Sequence, residues 1–184
     1  MRAAKLRLRS IAFAILCAMS VCARGAELAE YQIKAEFIER FTRFIEWPAG
    51  TPQPPGDPFV IGVIGRDPFG GYLDAIARAR TIKGRPVKVR HLTSPDAIGS
   101  CQILFVSSSE NERFAEIVAR ARQYPVLTIA DSPGAFASGV MINLYTAENK
   151  VRFEINEQQL SKAGFTASAQ LLKLARSSAS GGSR

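Results

Sequence analysis

Apolar side chains recur every three or four residues near the start of the chain, a spacing that predicts an amphipathic helix over residues 28–46. The apolar stripe of this helix consists of Ile33, Phe37, Phe41 and Phe44 or Ile45, widened by Ile38 and Trp47. The opposite, polar side carries Glu30, Lys34, Glu39, Arg40 and Arg43. Because Pro48 disfavours helical geometry at the residue before it, the helix should end at Trp47. We expect Phe37, Phe41 and Phe44 to pack in the core.

The next segments alternate between strand patterns and helix patterns. FVIGVIG (59–65) and CQILFVS (101–107) are nearly continuous apolar runs, which is typical of strands buried on both faces of a parallel sheet. PVLTIAD (125–131) is predicted to be a further strand. RPVKVRHL (85–92) alternates apolar and polar residues, so it should be half exposed.

Two helices are predicted between these strands, each with its own capping residues. Asp67 and Pro68 have the types expected at the N-cap and first position of a helix. Ser109 and Glu112 form a capping box ahead of the next helix.

The last third of the chain predicts a β-hairpin followed by short helices. VMINLY (140–145) and KVRFEIN (150–156) flank the polar link TAEN, the pattern of an antiparallel hairpin. Helices follow at 157–162 and 167–176, separated by Gly164. The fold class is therefore α/β: a single-domain sandwich whose mixed, mostly parallel sheet has five to six strands, helices on both faces and a C-terminal antiparallel hairpin.

The first residues have the layout of a secretory signal peptide, with a basic start, an apolar run over 11–21 and small residues after it. Cleavage after Ala23 and cleavage after Gly25 both fit, and a lipoprotein signal or an uncleaved anchor are the alternatives. The expected organisation is a signal peptide over 1–25, an α/β domain over 26–176 and a flexible tail over 177–184. The mature chain is therefore expected outside the cytoplasm.

Charge and cysteine content change once residues 1–25 are removed. The full chain has a net charge of +8, but the leader holds five of the positive charges, so the mature chain is only about +3 and nucleic acid is not an expected partner. Cys101 is then the remaining cysteine, which excludes an internal disulfide. We interpret it as a buried, inert thiol, with an intermolecular bridge or a reactive thiol as the alternative.

The segment GVIGRDPFGG is the one place where the pattern suggests a small-molecule site. It follows a buried strand and opens a helix, where doubly wound folds bind phosphates. It matches neither a dinucleotide fingerprint nor a phosphate-binding P-loop, so a tight turn is one interpretation. Binding of a small anion by Arg66, Asp67 and Gly70 is the other. We expect a structural or solvent-facing role for the single His91. The sequence shows no catalytic motif, metal site or cofactor site, so we expect no enzyme.

Several segments, taken together, resemble the YfiR family of bacterial periplasmic proteins. They are EYQIKAEFIERFTRFIEWP, FVIGVIGRDPFG, GRPVKVRHL, CQILFVSSSE, VLTIAD and GVMINLYTAENKVRFEINEQQLSKAGFTASAQLLKLA. The resemblance covers roughly Ala29 to Ala175. It implies an α/β fold, a homodimer and a periplasmic regulator that binds the periplasmic part of an inner-membrane diguanylate cyclase (YfiN-like). The regulator would repress that enzyme and so lower cyclic di-GMP and biofilm formation.

The same resemblance implies a second partner, an outer-membrane OmpA-like lipoprotein (YfiB-like) that sequesters the repressor. The family's founding member carries disulfides, and this sequence departs from it by having Cys101 alone. A protein-binding regulator needs an anchoring surface, for which aromatic and Arg side chains are favoured. The candidates for partner binding are Arg40, Arg43, Trp47, Phe69, Phe136 and Phe165. The alternative function is a periplasmic small-molecule sensor with a ligand cleft at the strand ends near Gly65–Gly70.

Overall fold

The first helix, α1, covers residues 27–44 in the computed structural model, which describes residues 27–51, 54 and 56–177. The predicted signal peptide and residues 178–184 of the predicted tail lie outside the described residues. The buried stripe of α1 runs through Ala35, Ile38 and Phe41, whereas Ile33 is 49% exposed. The predicted apolar face is therefore rotated from the real one. Phe37 and Phe44 are only partly buried against the core.

The end of α1 is set by strand pairing rather than by Pro48. Strand β1 (Ile45–Glu46) begins directly after residue 44 and pairs antiparallel with β9 (Thr166–Ala167). The N–H of Ser168 also donates to the carbonyl of Phe44 over 2.8 Å. The predicted end at Trp47 was wrong because the partner strand lies more than a hundred residues away in sequence.

The main sheet has eight strands in the order β10-β8-β7-β6-β5-β2-β4-β3. They are β2 (Phe59–Ile64), β3 (Thr81–Ile82), β4 (Arg85–Leu92), β5 (Ile103–Val106), β6 (Leu127–Ala130), β7 (Ile142–Ala147), β8 (Lys150–Ile155) and β10 (Arg176–Ser177). The pairs from β4 through β2, β5 and β6 to β7 are parallel, and β7 and β8 form the predicted antiparallel hairpin. Six of these strands have four residues or more, which agrees with the predicted count.

The remaining elements are helical. They are α2 (Tyr72–Ala79), α3 (Phe114–Ala121), α4 (Glu157–Lys162), α5 (Ala169–Leu174) and two 3₁₀ segments, Pro95–Ser100 and Ser108–Arg113. Two predicted caps were wrong. Asp67 closes a turn by accepting from the N–H of Phe69, and α2 begins after Gly71 instead. Ser107, not Ser109, caps the 3₁₀ segment that precedes α3.

Apolar residues form two cores, one on each face of the sheet. Along β2, Phe59, Ile61 and Val63 pack in the core on the side of α1, and Val60 and Ile64 pack in the core on the side of α3. Successive side chains of a strand point to opposite faces, so a strand with six buried residues requires cover on both sides. The predicted fold class, an α/β sandwich with a mostly parallel sheet, is confirmed.

Candidate functional site

A cleft of about 500 Å³ lies where the chain changes direction across the sheet. The strand β4, which comes after β2 in the chain, pairs with β2 on one side, and the later strand β5 pairs with β2 on the other side. The connections after β2 and β5 therefore diverge, and ligands of open α/β sheets bind in the crevice at such a switch point. The cleft is lined by Glu27, Leu28, Tyr31, Arg66, Asp67, Pro68, Gly70, Ser107, Ser108 and Ser109.

The loop after β2 forms one wall of the cleft and is held in place by short polar contacts. Gly65 has φ of 90°, and a Cβ there would lie 2.5 Å from the Oγ of Ser109, so the position requires glycine. The N–H of Arg66 donates to Ser109 Oγ over 2.8 Å. The Asp67 carboxylate accepts from the N–H of Phe69 over 2.7 Å, and its second oxygen lies 2.8 Å from Nε2 of His91. Both oxygens of Asp67 are thus engaged.

The loop after β5 supplies hydroxyl groups to the opposite wall. Ser107 is buried, and its Oγ lies 3.3 Å from the Oγ of Ser109. Ser108 and Ser109 are exposed towards solvent. This wall therefore offers neutral hydrogen-bonding groups rather than charge.

The start of α1 closes the cleft above a buried ion pair. Lys34 Nζ lies 2.8 Å from Asp131 and 2.6 Å from Glu30, and it sits 4.3 Å from the centre of the Tyr31 ring. Burial, together with the charge of Asp131, raises the pKa of Tyr31 well above its usual value. Burial acts against ionisation of Glu30, but hydrogen bonds from Lys34 and Thr146 outweigh it and lower the pKa of that carboxyl. The Tyr31 side chain thus stays neutral at this wall.

The structure brings all three predicted ligand residues to this cleft. Arg66, Asp67 and Gly70 line it together, and the Arg66 side chain is its exposed cation. The sequence did not identify Tyr31 or the serines as its neighbours, because they come from separate elements. His91 is exposed, as expected, but its contact with Asp67 also links β4 to the cleft loop.

The second candidate region is the end of α1. The Arg40 side chain is 64% exposed and lies 3.9 Å from the Glu36 carboxylate. The Arg43 side chain is 61% exposed and forms a closer ion pair with Glu39, at 2.7 Å. Trp47 is half-buried, and its indole N–H donates to the carbonyl of Gln102 over 3.3 Å. Lys83 Nζ lies 5.3 Å from the centre of the Trp47 ring. We call Arg40, Arg43 and Trp47 the α1-end surface.

Two aromatic residues named as candidates for partner binding are buried. Phe69 is fully buried, with its ring 4.8 Å from that of Phe105, and Phe165 is 3% exposed, 5.7 Å from the ring of Trp47. The loops that carry them turn inward because each ring fills the core beneath the loop. Phe136 is half-buried.

The described residues contain neither an activated thiol nor a cluster of metal-binding side chains. Cys101 is 3% exposed, and burial raises the pKa of its thiol, which disfavours the reactive thiolate. Within residues 27–177 as described, no group of three His, Cys, Asp or Glu side chains is placed to hold a metal ion. Over the same described residues, no helix has the length and apolar character needed to cross a membrane.

Comparison with known proteins gives a family match and several solved structures of similar fold. A sequence model described as YfiR/HmsC-like matches residues 31–176. A conserved domain protein from Vibrio cholerae O1 biovar El Tor has a similar fold, with a TM-score of 0.57, 10% identity, and coverage of 80% of this chain and 59% of that chain. The ABC domain in complex with L-Trp from Streptococcus pneumoniae has a TM-score of 0.53, 12% identity, and coverage of 80% and 60%.

These structural similarities extend only to the fold. The chain spans about three fifths of the length of these two solved structures. At identities of 10% and 12% the likeness shows a shared α/β architecture and nothing about ligands. No curated protein matches the chain.

Proposed function

This chain belongs to the YfiR/HmsC-like family, and from that membership we propose that it binds and represses an inner-membrane diguanylate cyclase. The family consists of periplasmic regulators of diguanylate cyclase signalling and is regulatory rather than catalytic. The observation that carries the proposal is the extent of the match, residues 31–176, which includes most of α1 and all of the main sheet except the last residue of β10. Repression would lower cyclic di-GMP and biofilm formation.

The proposed contact with the periplasmic part of the cyclase is the α1-end surface. Arg and Trp are the residue types most often found as anchors in protein interfaces. Arg40 and Arg43 extend into solvent from one helix, and Trp47 has its edge fixed by a backbone hydrogen bond. A side chain already held in place loses little conformational entropy on binding, which favours affinity. Further proposed contacts are an OmpA-like outer-membrane lipoprotein and a second copy of this chain.

Cyclic di-GMP measured in cells tests the proposal. Deleting the gene should raise the nucleotide, and wild-type protein supplied in trans should restore the original level. Arg40→Glu should fail to restore it, because the reversed charge lies in the proposed interface. Arg78→Glu is the matched control, since Arg78 is an exposed arginine on another helix, and it should restore the level fully.

Two results would contradict different parts of the proposal. An unchanged nucleotide level after deletion excludes control of a cyclase. If deletion raises the nucleotide level and Arg40→Glu restores it as fully as wild type, control of a cyclase is supported. The α1-end surface is then excluded as the contact.

A second candidate function is the binding of a small polar ligand at the strand-end cleft. The specific observation is the cleft at the switch point, with an exposed guanidinium at Arg66, hydroxyls at Ser108 and Ser109 and an aromatic wall at Tyr31. A small anion, or a zwitterion whose ammonium faces Glu27, has complementary groups there. The two functions are compatible, because a ligand that favours one conformer shifts the population available to a partner.

Thermal unfolding in the presence of a panel of inorganic anions, carboxylic acids and amino acids tests the cleft. A ligand should raise the midpoint for wild type and for Lys173→Ala, whose lysine is exposed on α5, but not for Arg66→Ala. No shift with any compound, or equal shifts in all three proteins, would exclude the cleft as the binding site.

A further inference from the structure

Strand β4 leaves most of one edge without a neighbouring strand. On its inner side it pairs with β2 along six residues, from Phe59↔Val87 to Ile64↔Leu92. On its outer side β3 reaches only Arg85 and Pro86. Among the described residues, no other backbone hydrogen bond involves residues 87–92. Backbone donors and acceptors along this edge are therefore available to another chain.

The open edge carries a concentrated positive charge. Residues 83–91 read KGRPVKVRH and hold four Lys or Arg residues and no acidic residue. Lys88 and Arg90 are exposed, and neither forms an ion pair with any described residue. Arg90 donates only to the hydroxyl of Ser100, over 2.7 Å. By contrast, Arg113 and Arg152, exposed elsewhere, each have a carboxylate partner.

The two faces of β4 differ in a way that would select the sequence of an added strand. Lys88 and Arg90 project from one face of the strand. Val87 and Val89 project from the other and are partly buried against the core that includes α1. An added strand would place its side chains beside these two rows in alternation. Acidic residues would face the cations, and apolar residues would extend the core.

We propose that the β4 edge, residues 87–92, is a docking site for an extended acidic segment of another protein, which joins the sheet as a further strand. Strand addition of this kind takes affinity from main-chain hydrogen bonds and specificity from alternate side chains. The docked segment would have a length of roughly six residues, or about 20 Å, because β3 occupies the rest of the edge. The site is separate from the α1-end surface, and its proposed occupant does not depend on which protein that surface recognises.

The unpaired ladder favours a peptide over a membrane surface as the occupant. Anionic lipid headgroups would be attracted by Lys88 and Arg90, but they cannot satisfy a row of alternating backbone N–H and C=O groups. A second copy of the same edge is disfavoured, because pairing would place like charges beside each other. Charge and backbone geometry together therefore indicate an acidic strand.

An NMR titration with synthetic peptides tests the docking site on the purified, isotope-labelled protein. The probe is an acetylated octapeptide of alternating Glu and Val. We expect the largest amide shifts at residues 87–92, and a dissociation constant about tenfold weaker for Lys88→Glu/Arg90→Glu. The control Lys162→Glu/Lys173→Glu makes the same change of net charge at exposed positions on α4 and α5, and it should bind like wild type.

A second peptide separates strand addition from simple charge attraction. The same octapeptide with alternate backbone amides N-methylated keeps its charge but cannot complete a ladder, so it should not bind. Equal binding of both peptides would overturn strand addition. Binding of phosphatidylglycerol vesicles without binding of the peptide would assign the edge to a membrane surface instead. Absence of all binding would mean that the lysine and arginine only protect the edge from aggregation.

Discussion

At the scale of single residues, Gly62 packs closely against Cys101 in the core on the side of α3. A Cβ added to Gly62 would lie 2.7 Å from the Sγ of Cys101 and 3.2 Å from a methyl carbon of Leu92. The backbone of Gly62 is not in the left-handed region, so the requirement for glycine here is steric alone. Because position 62 is glycine, the strand backbone can approach the Cys101 thiol more closely than it could with any other residue there.

Gly62→Ala should lower the free energy of unfolding by about 1–3 kcal/mol, because the extra methyl group overpacks this core. Cys101→Ala in the same protein should recover most of that loss, since it removes the atom in collision. Urea unfolding of wild type, both single variants and the double variant measures the coupling. Simple additivity of the two single effects would show that the collision with Cys101 is not the cause.

Arg80 is a second residue whose role can be isolated, because it links α1 to the end of α2 through two carboxylates. It lies 2.9 Å from Glu36 and 3.2 Å from Glu39, and the Glu39 side chain is only 2% exposed. Arg80→Met should cost about 2 kcal/mol at neutral pH, since a buried carboxylate loses one of its two partners. Arg40→Met, next to the same Glu36 but 3.9 Å away, is the control and should cost little.

The effect of Arg80 should also depend on pH. The hydrogen bonds from Arg80 lower the pKa of Glu36 below its ordinary value of 4.5. The charged form is thus favoured by folding, so the stabilisation is complete above pH 4.5 and is lost as the pH falls through the lowered pKa. The difference in stability between wild type and Arg80→Met should shrink between neutral pH and pH 3. A constant difference over this range would contradict the proposed charge pairing.

At the scale of elements, α1 shows what periodicity can and cannot predict. The three-to-four spacing predicted the helix, but not its rotation, because Lys34 and Glu39 are buried on the side that the sequence assigns to solvent. Their partners, Asp131 and Arg80, are 97 and 41 residues away, so the local pattern contains no sign of them. The two-residue strands β1, β9 and β10 were missed because their partner strands are also distant in sequence. Strand β3 pairs locally with the start of β4, and it was missed because two residues are too few to show an alternating pattern. The cleft residues Arg66, Asp67 and Gly70 could be predicted, because a loop after a buried parallel strand has a fixed place in the fold.

The buried pair of Lys34 and Asp131 should hold the first half of α1 on the end of β6. Their side chains are 5% and 2% exposed. Lys34→Met should destabilise the protein by about 3–5 kcal/mol, because it leaves the Asp131 carboxylate buried without its cation. Lys34→Met/Asp131→Leu should recover most of this loss, and Lys162→Met, at an exposed lysine, should change little. A double variant that is no more stable than Lys34→Met would contradict this explanation.

At the scale of the whole molecule, the strand order explains why the three proposed surfaces are separate. The cleft lies at the carboxyl ends of β2 and β5, where the connections diverge. Trp47 of the α1-end surface packs on Phe59, the first residue of β2, and so lies at the opposite end of that strand. The β4 edge runs between these two ends along the side of the sheet. The three surfaces share no residue, although the β4 edge adjoins the cleft through the contact of His91 with Asp67.

The single tryptophan, Trp47, provides a test of whether the domain unfolds as one unit. Its ring packs on Phe59 of β2 and on Phe165 before β9, so its fluorescence reports on a junction of the N-terminal helix, the sheet and the C-terminal segment. In a single cooperative domain, fluorescence and far-UV circular dichroism should give the same urea midpoint. Phe165→Leu should lower the free energy of unfolding by about 1 kcal/mol, the cost expected for a smaller buried side chain. Both midpoints should therefore fall together. An earlier fluorescence transition would show instead that the C-terminal segment detaches from the sheet before the sheet unfolds, and the predicted single domain would then be wrong.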